Sequence, residues 1–370
     1  MKITFILKGA LEILPPMLPR ILYAAKTCTH TSLVCSGISQ GNRDLLEEHG
    51  VKILVTNHNQ KLFGRRCKLV DWSGFRRACV KFLKNEISDS DILYICSADT
   101  ALALGKIFTK FSYVLQSNEL YDQFPLYKKG IKKYVLGACA FVVPEYNRAN
   151  ICSYWYGLKN LPFVIPNIPF VTSRQQNMTI ADDYARSIID SLQGKRIILY
   201  QGHISSDRTI NSIAAALRKM NDERYALVLM GADRSGAVAD IKNIYKQTFH
   251  IPFVPPPQHL EITSHAYIAI LSYDRVSLNN IFCAPNKIYE YSCYGIPMLG
   301  NNIPGLYNVI EKHQIGICAS YEQIDSVVNA LHTIDEHYDQ FHDNSYNFFT
   351  QNSLDSLMDE LFNYIKNQVQ

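Results

Sequence analysis

Metal-binding and disulfide patterns are missing from this sequence of 370 residues. Its 10 cysteines are scattered, with no CxxC motif and no Cys/His pairing at the spacing of a zinc site. Scattered cysteines indicate reduced thiols in a cytosolic protein and argue against a disulfide framework or a structural metal. The sequence also has no run of about eighteen apolar residues, so it predicts no membrane-spanning helix.

The first apolar run is too interrupted to be typical of a signal peptide. Lys8, Glu12, Pro15 and Pro16 break it, and no small-residue cleavage site follows it clearly. We therefore expect residues 2–7 to form a buried first strand.

Net charge is low, only +4, but it is unevenly distributed. Residues 1–165 contain 22 Lys and Arg against 12 Asp and Glu, whereas the rest of the chain contains 15 against 21. A basic half followed by an acidic half predicts two domains with different partners, the first of which meets an anionic surface.

The sequence contains two series of short apolar runs bounded by turns. Such runs indicate strands buried on both faces, and the helical patterns between them indicate the crossovers of a parallel sheet. The predicted strands cover residues 3–7, 32–35, 52–56, 91–96, 113–116, 140–143 and 164–165, then 196–202, 226–230, 251–254, 266–272 and 316–319. The predicted fold class is α/β, with two doubly wound domains.

A polar, proline-broken segment separates the two series. We expect residues 166–183 to be a linker between a first domain, 1–165, and a second domain, 184–345. The remaining residues, 346–370, predict a C-terminal helix that packs back toward the first domain.

The stretch CAPNKIYEYSCYGIPMLGN, from Cys283 to Asn301, predicts a loop, a short helix, a tight turn and a buried strand. Pro285 suits the first helical turn, because its missing N–H would be unpaired there. Gly295 is placed to end the helix in a left-handed conformation, and Pro297 prevents its continuation.

Asn286, Lys287 and Glu290 share one face of this helix. A helix N-terminus suits an anion, above all a phosphate, and a carboxylate one turn further can accept hydrogen bonds from two vicinal hydroxyls such as those of a ribose. The pattern therefore favours a nucleoside diphosphate. A capped helix with a solvated polar face is the alternative.

A second candidate site follows the strand at 196–202, in the sequence YQGHISSDR. Gly202 would let backbone N–H groups approach a phosphate closely, and Arg208 could hold two phosphate oxygens. An ordinary turn between strand and helix is the alternative.

The segment PNKIYEYSCYGIP resembles the nucleotide-sugar binding segment of retaining glycosyltransferases of the GT-B fold, those similar to family four, and it looks closest to a PNK-type subset. The resemblance implies two facing Rossmann-like domains with a cleft between them, and it places the donor ribose on Glu290. Many members carry a second Glu eight residues earlier, where this chain has Phe282.

The same resemblance implies further site residues. YQGHISSDR is similar to the family's diphosphate loop, with His203 and Arg208 in its two basic places. In the first domain, Asn118 stands where related sequences have a His that reaches the donor sugar, and Glu119 is retained. The remaining candidates are, on the donor side, Tyr273, Asn279 and Asn280, and, on the acceptor side, Gly9 and Ser97. A helix cap is the alternative explanation for Ser97 and Glu119, and a turn former is the alternative for Asn279 and Asn280.

The basic excess is concentrated between Lys61 and Lys84, where eight basic residues and one acidic residue are interleaved with apolar ones. This pattern predicts contact with an anionic membrane, or else a solvated helix over a core. Lys128, Lys129, Lys132 and Lys133 add a second basic patch. No nucleic acid is expected, since no recognition motif is present and the acidic half would oppose binding.

Taken with the resemblance, these patterns predict a glycosyltransferase of the hexosyltransferase type. Its donor would be a nucleotide-diphosphate sugar, first of all a UDP-sugar, and its acceptor a glycan or a lipid-linked glycan for capsule, lipopolysaccharide or another surface polysaccharide. We expect a cytoplasmic protein at the inner face of the membrane, with retention of configuration and no metal or other cofactor, because Arg208 and Lys287 would stabilise the leaving group. If the enzyme inverts, Glu119 is the expected base. A nucleotide-sugar epimerase and a non-catalytic subunit of the same fold stay open.

Overall fold

The computed structural model describes residues 1–58, 60–62, 65–88, 91–171, 173–205 and 210–369. The chain forms two compact units. The first contains Met1–Phe170 and Leu354–Gln370, and the second contains Val171–Ser353.

The first unit alternates strands and helices. Its elements are β1 (Lys2–Ala10), a 3-10 turn (Leu11–Ile13), α1 (Met17–Thr27), β2 (His30–Gly37), α2 (Gln40–Glu48), β3 (Lys52–Val55), β4 (Lys61–Leu62), β5 (Arg65–Arg66), α3 (Lys68–Glu86), β6 (Ile92–Ile95), α4 (Ala98–Leu104), β7 (Ser112–Gln116), α5 (Pro125–Leu136), β8 (Ala140–Val143), α6 (Tyr146–Tyr156) and β9 (Phe163–Val164).

The second unit repeats the alternation. Its elements are α7 (Asp183–Ser191), β10 (Arg196–Gln201), α8 (Ile210–Met220), β11 (Tyr225–Met230), α9 (Ala237–Ile244), β12 (Thr248–Ile251), α10 (His259–Thr263), β13 (Ile268–Leu271), α11 (Leu278–Ile281), α12 (Lys287–Cys293), β14 (Met298–Asn301), α13 (Pro304–Ile310), β15 (Gly316–Ala319), α14 (Ile324–Glu336) and α15 (Tyr338–Gln351). The last helix, α16 (Leu354–Val369), belongs to the first unit.

Each unit is built on a parallel sheet. The first has the strand order β3-β2-β1-β6-β7-β8-β9, and the second has the order β12-β11-β10-β13-β14-β15. In the first sheet Ile6 lies between Val34 and Ile95, and in the second Leu199 lies between Val228 and Ala269. The prediction of two doubly wound parallel sheets is therefore confirmed.

Alternate residues of the central strands enter cores on opposite faces, as the twofold period of a strand requires. On β1, Phe5 packs on one side of the sheet and Ile6 on the other. On β10, Leu199 and Tyr200 divide in the same way. Burial on both faces explains why these strands are continuous apolar runs and not alternating ones.

The boundaries of the two units differ from the domain boundaries that the sequence predicted after residues 165, 183 and 345. The expected linker does not stand apart, because residues up to Phe170 belong to the first unit and Ile168 is buried there. At the other end, α15 continues past residue 345, and the second division follows Ser353. Helix α16 then packs Phe362 against Tyr23 of α1, with the ring centroids 5.6 Å apart.

No helix in the described part of the chain combines the length and the apolar character that crossing a bilayer requires. All 10 cysteines are free thiols. Among the described residues, no three His, Cys, Asp or Glu side chains are arranged so that they could hold a metal ion.

The close packing of Gly305 against the backbone of Cys283, shortly before α12, can be tested by substitution. A Cβ added there would lie 2.5 Å from the backbone nitrogen of Cys283 and 2.8 Å from its carbonyl oxygen, and backbone cannot turn aside as a side chain can. We expect Gly305→Ala to lower the free energy of unfolding by about 1–3 kcal/mol, although helices otherwise favour Ala. Urea unfolding followed by circular dichroism measures this. The exposed Asn308→Ala in the same helix is the control, and an equal response of both variants would contradict the prediction.

Candidate functional site

The candidate site of the second unit lies where its strand order reverses. The chain runs outward from β10 to β11 and β12, and then returns to place β13 on the other side of β10. Ligands of such sheets bind outside the carboxyl ends of the strands at this reversal. Gly202 follows β10 there and Ser272 follows β13. The segments that carry the predicted residues Gly202 and Tyr273 therefore begin at the same edge of the sheet.

Helix α12 has the predicted ending but is short. The N–H of Gly295 donates to the carbonyl of Ser292 at 3.0 Å, and the N–H of Ile296 donates to that of Tyr291 at 3.1 Å. Gly295 has a φ of 69°, so the left-handed ending is confirmed. The helix has only seven residues. Its dipole is therefore small, and an anion at its start would depend on side chains more than the sequence pattern suggested.

Lys287 supplies the positive charge at the end of β10. A Cβ added at Gly202 would lie 2.8 Å from the Lys287 Nζ, so the ammonium group lies directly against this glycine. The φ of Gly202 is 133°, which favours glycine. The ring centroids of Tyr200 and Tyr273 lie 5.9 and 6.0 Å from the same Nζ. Lys287 and Gly202 are thus neighbours, as a diphosphate site requires.

Glu290 is enclosed in a polar network, with only 1% of its surface exposed. Asn286 Nδ2 donates to its Oε1 at 2.5 Å, and Gln201 Nε2 donates to its Oε2. His259 Nε2 lies 3.4 Å from the same Oε2, which makes an ion pair when the imidazole is protonated. The partners come from β10, α10 and the start of α12, so this carboxylate joins three segments.

The pKa of Glu290 is lowered despite this enclosure. Burial opposes ionisation most strongly, but attraction to His259 and Lys287 and the hydrogen bonds from His259 and Asn286 outweigh it. Glu290 is therefore a carboxylate at neutral pH, as an acceptor of ribose hydroxyl hydrogen bonds must be.

Glu290 can accept fewer hydrogen bonds from a ribose than the sequence pattern suggested. A carboxylate offers about four lone-pair positions, and three protein groups already face this one. Two vicinal hydroxyls can both donate to Glu290 only if a partner such as Asn286 turns away.

The other predicted donor residues are dispersed around the strand ends. His203 is exposed, and its carbonyl accepts a hydrogen bond from the Tyr200 hydroxyl at 2.8 Å. Asn280 lies in α11 and uses its Nδ2 to donate to Asp274 at 2.8 Å, so part of its amide is engaged in the loop. Asn279, beside it, is half-buried. Arg208 lies outside the described residues.

Tyr273 is fixed at the end of β13 through its backbone. Its N–H donates to the Asn301 Oδ1 at 2.9 Å, and its carbonyl accepts from the Asn301 Nδ2 at 2.7 Å. Asn301 ends β14, so the amide ties two strand ends together. The ring of Tyr273 is left facing the Lys287 side of the site.

Sequence reasoning missed His259 as a site residue. It opens α10 just after the proline run 255–257, and its Nδ1 is buried without a hydrogen-bond partner in the described structure. Thr263, one turn later, donates to the Gln201 Oε1 at 2.8 Å and so orients the amide that faces Glu290. A histidine at the start of a helix in the connection after a strand was the available signal.

The predicted acceptor-side residues of the first unit fall into two places. Ser97 caps α4, because its hydroxyl accepts from the Thr100 N–H at 3.1 Å, which supports the capping explanation. Gly9 lies near the end of β1 with a φ of 145°. Asn118 and Glu119 follow β7; the Asn118 Oδ1 accepts from Gln116 at 2.6 Å, and Glu119 is exposed.

A cluster of charged residues lies at the reversal point of the first sheet. None of its members is among the predicted site residues, although Gly9 and Ser97 are close to it in the sequence. Lys8 of β1 bridges Asp71 of α3 at 2.7 Å and Asp99 of α4 at 3.3 Å. His58 Nε2 contacts Asp71 at 2.8 Å, and the Tyr127 hydroxyl donates to Asp99. We call these five residues the Lys8 cluster.

Charges within the Lys8 cluster stabilise one another. Burial disfavours the charged form of each group, yet the pKa of Lys8 is raised by Asp71 and Asp99, and that of Asp71 is lowered by Lys8 and His58. Since one lysine faces two carboxylates, the cluster disfavours an anion and suits a neutral polar ligand better.

Helix α3 carries most of the basic stretch from Lys61 to Lys84. Its large apolar residues Phe75, Phe82 and Leu83 are buried in the core, and its exposed positions include Arg77, Lys81 and Lys84. This is the arrangement of a core-packed helix with a solvated basic face.

No protein-family model matches the sequence, and no curated protein matches it. Solved structures do match its fold. A glycosyltransferase from Rickettsia africae ESF-5 superposes with a TM-score of 0.73 at 12% identity, covering 100% of this chain and 99% of that one. Anabaena Alr3699/HepE in complex with UDP gives 0.71 at 12% identity, covering 99% and 100%.

A third match is a putative UDP-N-acetylglucosamine 2-epimerase from Listeria monocytogenes, with a TM-score of 0.59 at 14% identity over 93% of this chain and 90% of that one. At such identities these likenesses show the fold alone. The chain therefore has the GT-B fold of glycosyltransferases, as the sequence predicted.

Proposed function

We propose that this protein is a glycosyltransferase that transfers a hexose from a UDP-sugar to a glycan or lipid-linked acceptor. The observation that carries the proposal is the meeting of Gly202, Lys287 and the ionised Glu290 at the reversal point of a Rossmann-type sheet. The Anabaena structure of the same fold contains UDP, which supports this choice of nucleotide. The experiment is incubation with UDP-glucose and a panel of acceptors, with UDP release and sugar transfer measured separately.

In the proposed reaction, the bond between the sugar C1 and the diphosphate oxygen breaks, and the acceptor oxygen bonds to C1. Negative charge grows on the departing diphosphate, and Lys287 beside Gly202 is placed to stabilise it. Arg208 has the same proposed role from the sequence pattern. Retention would follow if the acceptor attacks from the leaving-group side and gives its proton to the departing phosphate. Inversion would require a carboxylate base, for which Glu119 is the first candidate.

The acceptor side of the proposal rests on the first unit. The Lys8 cluster offers an ammonium group, two carboxylates and a tyrosine hydroxyl at strand ends, which suit the hydroxyls of a neutral sugar. Gly9 and Ser97 lie beside it, since the Lys8 N–H and the Ser97 hydroxyl both contact the Thr100 hydroxyl. A role in capsule, lipopolysaccharide or other surface polysaccharide synthesis is the setting we propose.

The sequence pattern predicts contact between the stretch from Lys61 to Lys84 and an anionic membrane. On α3, Phe75, Phe82 and Leu83 are inside the core, and Leu69 is the one large apolar residue that is mostly exposed, at 74%. A contact through this helix would therefore depend mainly on charge and would weaken steeply with salt.

The second candidate function is a nucleotide-sugar epimerase, which the Listeria likeness favours. An epimerase needs no acceptor. Incubation with UDP-N-acetylglucosamine alone, followed by chromatography of the sugar, separates the two: an isomerised sugar would replace the transferase proposal. Nucleotide binding with neither transfer nor isomerisation would leave a non-catalytic subunit.

Removal of the Glu290 carboxylate should weaken UDP binding. We expect Glu290→Ala to lose about 1.5–3 kcal/mol of binding free energy, the usual worth of hydrogen bonds to a charged group. Isothermal titration calorimetry measures the affinity. The matched control is 2′,3′-dideoxy-UDP, which lacks both ribose hydroxyls and should bind the native protein and the variant equally. An equal loss with both ligands would refute the ribose contact.

Glu290 also predicts a pH dependence of stability. A lowered pKa means that its contribution to stability is complete above the ordinary value of 4.5 and is lost as the pH falls through the lower folded-state pKa. The difference in free energy of unfolding between the native protein and Glu290→Gln should therefore have its full value from about pH 4.5 to 5.5 and shrink below 4.5. Urea unfolding across this range tests it, with the exposed Glu336→Gln as control. A difference that grows on acidification would contradict the assignment.

Lys287 should affect turnover more than folding. Loss of one preorganised charge on a leaving group typically costs about 10²–10³ in kcat, and we expect Lys287→Gln to fall in this range when UDP release from UDP-glucose is measured. Lys312→Gln, which removes an exposed lysine of the same unit, should leave kcat unchanged. Full activity of the Lys287 variant would remove this residue from the mechanism.

A further inference from the structure

Helix α5 differs from the other basic helix, α3, in what its outer face carries. Tyr134, Ile131 and Val135 of α5 are buried in the core of the first unit. The opposite face exposes Leu126, with 87% of its surface accessible, and Leu136, with 54%. Two apolar side chains therefore remain in solvent on a helix whose core side is already filled.

Lysines alternate with these leucines. Leu126, Lys129, Lys133 and Leu136 are spaced by three, four and three residues, so they form one row along the helix, and the exposed Lys132 borders it. The two leucines lie about 15 Å apart along the axis. A helix lying flat on a surface could insert both while its lysines reach sideways.

Aromatic residues extend the same surface beyond α5. Phe124, just before the helix, is 62% exposed, and Tyr154 of the adjacent α6 is 87% exposed. Lys128 Nζ lies 4.1 Å from the ring centroid of Trp155, which shows that α5 and α6 meet here. We call Phe124, Leu126, Leu136 and Tyr154, with the α5 lysines, the α5–α6 surface.

Charge decides what can cover the α5–α6 surface. Residues 121–160 contain six Lys and Arg against only two acidic residues, Asp122 and Glu145. A second copy of the chain would bring lysines against lysines, so self-association is disfavoured. An anionic bilayer suits both residue types, because the leucine side chains can enter the acyl region while the lysine ammonium groups contact lipid phosphates.

We propose that the α5–α6 surface is the membrane-binding surface of this protein and that it docks on anionic phospholipid. This inference is independent of the proposed sugar chemistry. It also moves the membrane contact from α3, which exposes one large apolar side chain, Leu69, near its start, to a helix that presents two leucines in one row with its lysines.

The test uses the full chain and sedimentation with vesicles of phosphatidylcholine containing 30 mol% phosphatidylglycerol, compared with pure phosphatidylcholine. We expect binding to the anionic vesicles only. Because each lysine near such a surface is worth about fivefold in affinity, the triple variant K129Q/K132Q/K133Q should bind about 100-fold more weakly. The matched control, R77Q/K81Q/K84Q, removes three exposed charges from α3 and should bind like the native chain.

A second variant separates insertion from simple charge attraction. L126S/L136S keeps every lysine, and we expect it to lose the binding that persists at 0.5 M salt, where the electrostatic part is screened. Both α5 variants alter only exposed residues, and circular dichroism checks that they are folded. Equal losses in the α3 and α5 charge variants, native binding by L126S/L136S, absence of vesicle binding by the native chain, or a dimer abolished by L126S/L136S would each overturn the proposal.

Discussion

Enclosure of an ionised carboxylate is the constraint on which the second unit depends. A buried charge is tolerated only when it is paired and hydrogen-bonded, and removal of one partner leaves a charge that nothing compensates. Glu290 meets this requirement with Asn286, Gln201 and His259, which come from three segments. Helices α10 and α12 and the end of β10 thereby meet at one carboxylate, and Lys287, in the same helix as Glu290, lies beside Gly202.

The first unit places a different arrangement of charges at the reversal point of its own sheet. Its six strands from β3 to β8 have the same order as the six strands of the second sheet, so both units have a reversal point. At that point the first unit places the Lys8 cluster, in which one lysine is held between two carboxylates. One unit therefore presents the ammonium group of Lys287 beside a strand end, whereas the other presents two carboxylates around a lysine. The two reversal points thus differ in the charge that they offer to a ligand.

Much of the fold could be predicted because local patterns determine it. Continuous apolar runs marked the strands, and Gly295 with Pro297 marked the end of α12. The site was less accessible, because Gln201 and Glu290 are 89 residues apart and only the assembled sheet brings them together. His259 was missed for the same reason. The burial of Ile168 in the expected linker also depends on packing, which periodicity does not report.

The choice between the two basic helices was also not accessible from the sequence, because it depends on which residues the core buries. Helices α3 and α5 both bury apolar residues at spacings of three and four, and both carry several lysines or arginines. A count of Lys and Arg alone favours α3, which has five against the four of α5, although α3 also carries Asp71 and Glu86. What distinguishes the two helices is the residue type on the face that the core does not use. On α3 that face includes Arg77, Lys81 and Lys84, which water solvates well, and a single exposed leucine, Leu69, lies near the start of the helix. On α5 it includes Leu126 and Leu136, whose exposure costs free energy until something apolar covers them. A basic helix is therefore informative about partners only after its core-facing residues have been identified.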